Sequence, residues 1–395
     1  MSKALPSLAR RLIAWQRQSG RHDLPWQNTL DPYRVWLSEI MLQQTQVVTV
    51  IDYFNRFVAR FPDVHALAQA PIDDVLAHWA GLGYYARARN LHACAQHIVQ
   101  VYGGIFPETA QALQTLPGIG PSTAAAVAAF CFAERTPILD GNVKRVYCRF
   151  FGVTGDPTSR KVSEQLWQLA QQETPDLSLT LEQPDAMARF TQGLMDLGAT
   201  CCTRRRPACE RCPIADHCVA HLSNRTDELP NAKVRKKIPE RSTTMLLITA
   251  HLPCQTIHSQ RFEKAFLLIK RPHQGIWGGL WSLPECGRPM QSNPVDKSMM
   301  PHNIESNVHD WCVQHGMPNA KRVSLAGIKH TFTHFHLHIQ PWLIELDGLS
   351  ETLNVAQLAS DHNLQWVRTS ELKAFGMPAP IQSLVSEFAM LGNTH

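Results

Sequence analysis

The sequence predicts a multidomain chain, a mostly α-helical first part followed by a smaller α/β domain. Three observations predict it. From residue 7 to about 220 apolar residues recur at helical spacing. Residues 225–241, RTDELPNAKVRKKIPER, then hold two prolines, almost no apolar periodicity and a net charge of +3 from six basic and three acidic side chains, the marks of a linker. Beyond it, short β-rich runs are separated by Gly/Pro/Asn segments. The expected organisation is therefore 1–224 helical, 225–241 linker and 242–395 α/β. With 44% hydrophobic and 18% charged residues, the 395-residue chain can bury sizeable cores, which excludes a wholly disordered protein.

The elements follow in order. Asp31-Pro32 supplies an N-cap and a first-turn proline, and Val35, Trp36, Ile40, Val47, Val48, Ile51, Phe54, Phe57 and Val58 continue at helical spacing across two helices. Further helices are expected around Asp74 to Ala80, Ala86 to Tyr102 and the Ala-rich run Ser122 to Phe132. Strands are expected at Thr243 to Ala250, Ala265 to Lys270, Phe335 to Leu346 and Gln365 to Val367. His330, His334, His336 and His338 alternate on what reads as one strand, most simply a polar face and less simply a metal site. There is no internal repeat or low-complexity tract.

Charge and cysteine usage narrow the function classes. The net charge of +5 permits a polyanionic partner without arguing for one, and the segment 242–395 is neutral, with 11 basic and 11 acidic residues. The first residues have no signal-peptide pattern, because Arg10 and Arg11 interrupt the only apolar stretch, and no apolar run approaches the roughly 18 residues that span a bilayer. A cytoplasmic protein, neither secreted nor membrane-bound, is expected. Four of the eleven cysteines, Cys202, Cys209, Cys212 and Cys218, crowd into C-x6-C-x2-C-x5-C. Structural zinc usually pairs two short knuckles, and only one C-x2-C is present, so the spacing favours an iron-sulfur cluster and leaves zinc open. Cys201 is out of frame and reads as a bystander. Arg204, Arg205 and Arg206 lie between the first two thiols; pinned there, they would suit phosphate oxygens.

Leu116-Pro117-Gly118-Ile119-Gly120-Pro121-Ser122 leads directly into the Ala-rich helix, a two-glycine turn that presents N–H groups at a helix start. It resembles the helix-hairpin-helix element, about residues 110–133, that grips a DNA backbone phosphate. Ile138-Leu139-Asp140-Gly141-Asn142 follows, and by itself would be a helix cap. Hairpin, aspartate and cysteine loop in this order resemble the helix-hairpin-helix DNA glycosylases with an iron-sulfur cluster. Within them the chain looks very like the MutY-type adenine DNA glycosylases over essentially its whole length. The similar stretches are LPWQ at 24–27, WLSEIMLQQTQV at 36–47, GLGYYARARNL at 81–91, LPGIGPSTAAA at 116–126, ILDGNVKRV at 138–146 and the cysteine loop.

The resemblance implies roles that chemistry supports. Adenine is a poor leaving group unless protonated, and its departure builds positive charge on the sugar, so an acid and a carboxylate are needed. By resemblance Glu39 is the acid at adenine N7 and Asp140 steadies the oxocarbenium ion; burial beside Ile40 and Leu42 would raise the Glu39 pKa. The base must leave the stack. By resemblance Gln43, Gln44 and Tyr84 lie at the lesion, Leu24, Trp26 and Gln192 contact the extruded adenine, Asn142 supports Asp140, the Gly118 and Gly120 amides hold a phosphate and Lys144 faces the backbone. The cysteines hold one 4Fe-4S cluster. Ser122 stands where strand-cutting relatives carry a Schiff-base lysine, so a monofunctional enzyme is implied.

In the second domain GIWGGLWSLP at 275–284 resembles a Nudix-like domain, but 285–316 has no REUxEE run for magnesium. That implies a fold reused for recognition. Phe332-Thr333-His334 resembles the Phe-Ser-His loop with which bacterial MutY-type enzymes sense 8-oxoguanine, with threonine for serine. The implied partner is double-stranded DNA containing A:8-oxoguanine or A:G pairs, bound by a nucleoid-associated monomer. The alternatives are a bifunctional pyrimidine-lesion glycosylase of the same fold, against which Ser122 and the C-terminal domain argue, and a non-catalytic damage binder, which would lack Glu39 or Asp140.

Overall fold

The computed structural model describes residues 7–231, 238–253, 262–286, 304–346 and 363–390. The middle of the expected linker, 232–237, and residues 287–303, most of the stretch that lacks a magnesium-binding run, lie outside them. The chain forms two compact units, residues 1–69 with 90–235, and residues 70–89 with 236–395. Residues 70–89, counted from sequence with the helical domain, thus pack with the second unit.

The first unit is helical. Helix α1, Leu8–Ser19, is capped by the Ser7 side chain. Helix α2, Pro32–Leu42, starts as expected, with Asp31 Oδ1 accepting from the Tyr33 N–H at 2.9 Å and proline in the first turn. Helix α3 is Val47–Arg60, α4 Val64–Gln69 and α5 Ile72–Trp79. Of these α5 belongs to the second unit. It begins two residues before the expected Asp74, because Pro71 already sets the backbone for a first turn. Helix α6, Ala86–Tyr102, has its expected limits. After the short α7, Ala110–Leu113, comes α8, Pro121–Phe132, whose residues Thr123 to Ala129 are all buried. Alanine is what lets neighbouring helices approach it closely. The rest are α9, Gly141–Phe150, α10, Arg160–Glu173, α11, Leu177–Glu182, α12, Ala186–Asp196, and α13, Val219–Leu222. Leu12, Ile13, Val143, Tyr147, Leu166, Phe190 and Leu194 form a core joining α1, α9, α10 and α12. Each large apolar side chain buried there contributes about 1.5–3 kcal/mol.

The second unit is a mixed sheet. Strand β1, Glu240–Pro253, runs parallel to β7, His336–Glu345, with Glu240 opposite His336 and Thr249 opposite Glu345. It runs antiparallel to β2, Phe262–Lys270. The sheet order is β3-β2-β1-β7-β5, with β3 at Trp281–Ser282 and β5 at Lys321–Ser324. Strand β4, Glu285–Cys286, pairs with β1, β6, Ile328–Thr331, with β7, and β8, Leu364–Arg368, with β2. Val308 and Cys312 of helix α14, Ile304–Gln314, cover Leu246, Ile248, Leu267 and Ile344 on one face. Helix α15, Ala379–Met390, is the last described element.

Helix α5 is fastened within this unit. Lys270 Nζ pairs with Asp73 at 2.7 Å, Arg89 Nη1 donates to Gly278 O at 2.5 Å and Tyr85 Oη donates to Met377 O at 3.3 Å. Two of these contacts come from the chain just after α5. The four alternating histidines do not share a strand. His330 lies on β6, His334 in a turn and His336 and His338 on β7. His330 is paired with Leu337, which puts it on the opposite face from His336 and His338.

Candidate active site

The last turn of α2 and the first turn of α9 bring Glu39 and Asp140 to one cavity of about 1070 Å³ in the first unit. Around Glu39 the side chains of Ser38, Ile40 and Met41 are buried. Burial, and after it the charge of Asp140, push the Glu39 carboxyl up to about 8 from an ordinary 4.5. Asp140 caps α9, its Oδ1 accepting from the Val143 N–H at 2.7 Å and its Oδ2 from Asn142 Nδ2 at 3.2 Å. Burial raises this pKa too, but hydrogen bonds from Val143 and Asn142 and the Arg145 guanidinium pull it back. Both carboxyl groups are therefore raised by burial, and the two differ in that only Asp140 has hydrogen bonds and a guanidinium that offset part of the rise.

Leu24, Trp26, Gln43, Gln44, Gly120, Ser122, Asn142 and Gln192 line the same cavity. Trp26 is buried edge-on against Phe54, with ring centroids 5.4 Å apart. Gln44 has φ +59, a left-handed backbone that turns the chain between α2 and α3. Ser122 donates its hydroxyl to Leu139 O at 2.9 Å, so the position carries neither an amine nor an uncommitted proton donor. Gly118 does not line the cavity. Its φ of +75 and the absence of a Cβ, which would lie 2.6 Å from Asn90 Cβ, are what make the hairpin turn possible. Ile119 N–H donates to Leu116 O, whereas among the described residues the Gly118 and Gly120 N–H groups donate to no backbone carbonyl. Lys144 is turned away from the cavity, 3.3 Å from Ser163 Oγ and 3.4 Å from Pro157 O. Sequence reasoning missed Arg21 and Arg145, both cavity residues, and Asp196, whose only signal was its spacing of four from Gln192.

Helix α12 runs through a π turn, Leu197–Cys201, straight into the cysteine loop. Gly198 in that turn passes so close to α9 that an added Cβ would sit 2.6 Å from Asn142 Cβ. Cys202, Cys209, Cys212 and Cys218 feel one another's charge, and burial is the largest cause raising Cys202, Cys209 and Cys218. Arg149, itself buried, donates to Cys202 Sγ at 3.4 Å and to Thr203 O at 2.7 Å. Arg145 joins the loop to the start of α9, with bonds to Cys202 O at 2.8 Å and Asn142 Oδ1 at 3.0 Å. Four thiols with a guanidinium N–H facing one sulfur are a donor set suited to an iron-sulfur cluster, which would fix the loop carrying Arg204 to Arg206. Cys201 is buried against Ala208 O at 3.3 Å. Among the described residues no three His, Cys, Asp or Glu side chains converge as around a single ion, at the histidines or elsewhere.

Two predicted positions lie in the second unit. Phe332, Thr333 and His334 form the turn between β6 and β7, closed by Phe332 N–H donating to Phe335 O at 2.9 Å. Phe332 stacks on Phe335 with centroids 4.4 Å apart and lies 5.7 Å from Trp277, so the turn has an aromatic base while Thr333 and His334 are exposed. Tyr84 is 43% exposed with φ +50. Arg87 lies 5.4 Å from the Tyr84 and the Trp79 ring centroids and donates to Gly83 O at 3.2 Å, which braces the loop.

Two carboxyl groups in one cavity, with a glycine hairpin and a four-cysteine loop, define a DNA glycosylase of the helix-hairpin-helix class. Residues 37–172 match the model of the HhH-GPD superfamily of base excision DNA repair proteins. Residues 202–218 match the iron-sulfur binding domain of endonuclease III, spanning the four cysteines, which resolves the choice left open by spacing in favour of a 4Fe-4S cluster over zinc. Residues 257–387 match the NUDIX domain. The chain is 33% identical over 377 residues to the adenine DNA glycosylase of Buchnera aphidicola from Acyrthosiphon pisum, covering 95% of this chain and 96% of that protein. It is 34% identical to the adenine DNA glycosylase of Mus musculus, covering 85% of this chain and 70% of that protein, and 33% identical to that of Homo sapiens, covering 87% and 68%. The chain belongs to the adenine DNA glycosylase family.

Proposed function

We propose that this adenine DNA glycosylase releases adenine from duplex DNA where it is mispaired with 8-oxoguanine or, less well, with guanine, and leaves an abasic site without cutting the strand. The pairing of a protonated Glu39 with Asp140 in one cavity carries the reading. Glu39 gives its proton to N7 of the extruded base. The C1′–N9 bond then breaks with its electron pair going to the base, and the Asp140 carboxylate faces the resulting oxocarbenium ion until water adds at C1′ and gives its proton to the carboxylate that Glu39 has become. Leu24, Trp26 and Gln192 hold the base, while the Gly118 and Gly120 amides hold a backbone phosphate. In the second unit Tyr84 wedges the duplex and Phe332, Thr333 and His334 read the opposite base. The described helices include none long and apolar enough to cross a membrane.

A duplex with a single adenine opposite 8-oxoguanine tests this. Incubation with the protein should give strand cleavage only after alkali. Cleavage without alkali would support the bifunctional alternative, and tight binding with no cleavage under either condition would make the protein a damage binder. The protein should also be brown from thiolate-bound iron; colourless, active, zinc-loaded protein would overturn the cluster assignment.

A further inference from the structure

We propose that Asp196 is a positioning residue that decides which end of the Gln192 amide faces the base, so that the cavity accepts a purine with an amine at position 6 and rejects one with a carbonyl there. The inference rests on the reading that this cavity receives the extruded base. It starts from α12, which places Gln192 and Asp196 four residues apart and therefore on one face. The Asp196 side chain is 0% exposed and paired with Arg21, which donates its Nε–H at 2.7 Å and its backbone N–H at 3.0 Å. The Gln192 Nε2 donates to the same carboxylate at 2.8 Å.

A glutamine amide is nearly symmetric in shape, and its surroundings decide which end is nitrogen. An ion-paired carboxylate only accepts. Asp196 therefore takes one of the two Nε2 hydrogens and fixes which end of the amide is nitrogen, and in that orientation Oε1 is the acceptor this cavity-wall side chain offers. Adenine carries a donor, its exocyclic amine, where hypoxanthine carries an oxygen; the two are otherwise nearly the same shape, and both have N7 for Glu39. Oε1 can accept from the first and opposes the second. Were Asp196 able to donate, the amide could turn over and the opposition would vanish. A site that sets a fixed acceptor against the wrong partner discriminates because a buried polar group is left unmatched.

The test is the ratio of single-turnover excision rates for adenine and hypoxanthine, each opposite 8-oxoguanine and again opposite guanine. Both rates come from one preparation, so the ratio does not depend on how much of a variant is active. Wild type should favour adenine. In Asp196→Asn the ratio should fall at least about tenfold, consistent with one mispaired buried hydrogen bond. Gln192→Met should lower it similarly, and Asp196→Asn should have no further effect on the ratio in that background. Asp196→Glu, which still only accepts, should keep the preference even where its rate is lower, and it serves if the asparagine variant does not fold. A ratio within threefold of wild type in Asp196→Asn, or a further fall in the double variant, would overturn the positioning role while leaving adenine excision intact. Release of neither base by the wild type would overturn the functional reading and this inference with it.

Discussion

Burial gives Glu39 its proton and makes it costly to stability, and one substitution separates the two effects. The folded-state pKa is about 8 against an ordinary 4.5, so between those values the folded chain binds a proton that the unfolded chain has lost. Stability from this group therefore falls as pH rises through that window, and excision should fall as pH passes about 8. Glu39→Gln should lose at least about a hundredfold in excision rate while still binding the duplex. Its melting temperature should match wild type near pH 5 and exceed it at pH 9 by about 2–4 °C, roughly 1–2 kcal/mol after allowing for water in the cavity. Excision within tenfold of wild type would remove Glu39 as the acid. A melting difference independent of pH would show that the carboxyl is not strained by burial. That Glu39 and Asp140 share one cavity agrees with what their motifs suggest. Arg145 and Asp196 were not legible in the sequence, because spacing tells which face a side chain shares and not what a buried guanidinium or carboxylate meets there.

Helices α9 and α12 meet where the Asp140 cap and the entrance to the cysteine loop touch, and Gly198 sets how closely. Its missing Cβ would lie 2.6 Å from Asn142 Cβ and 3.1 Å from Asn142 Cα. Gly198→Ala must push the start of α9, and with it Asp140, by some tenths of an ångström. A catalytic group displaced on that scale costs about ten- to a hundredfold in rate. The variant should stay brown, because the thiols themselves are unchanged. Wild-type excision would mean the contact relaxes without moving Asp140; loss of colour would place the damage in the loop. At this scale α2, α6 and α8 were legible from caps, prolines and apolar spacing. The β6–β7 hairpin was not. The segment between His330 and His338 contains neither glycine nor proline, and the break in its alternation is one adjacent polar pair, Thr333-His334, too slight a signal to stop the histidines reading as one strand.

The chain leaves its first unit at residue 70 and returns at 90, and that excursion changes how the second unit's role can be tested. The later division, at residue 235, falls within the segment whose composition reads as a linker. The excursion was hidden because the amphipathic spacing of α5 shows that Val75, Leu76 and Trp79 are buried and not which unit buries them. Truncation after residue 235 would strip α5 of Lys270 and the following segment of Gly278 and Met377, and it would open the packing of Gly376 on Leu76. Apolar surface of α5, that of Leu76 first, would face water, at about 1.5–3 kcal/mol for a fully uncovered side chain. The shortened protein should aggregate or bind a hydrophobic dye, and any loss of discrimination in it would mix a missing reader with a displaced Tyr84. The cleaner test keeps the full chain and replaces Phe332 and His334 with alanine. Phe332 rests on Phe335 and Trp277 at the turn, and His334 is exposed, so their removal leaves the sheet pairing intact. Excision of adenine opposite guanine should remain within about threefold of wild type, while the preference for 8-oxoguanine over guanine should fall about tenfold or more, the scale of one or two lost polar contacts. An unchanged preference in this variant would move recognition of the opposite base away from the β6–β7 turn.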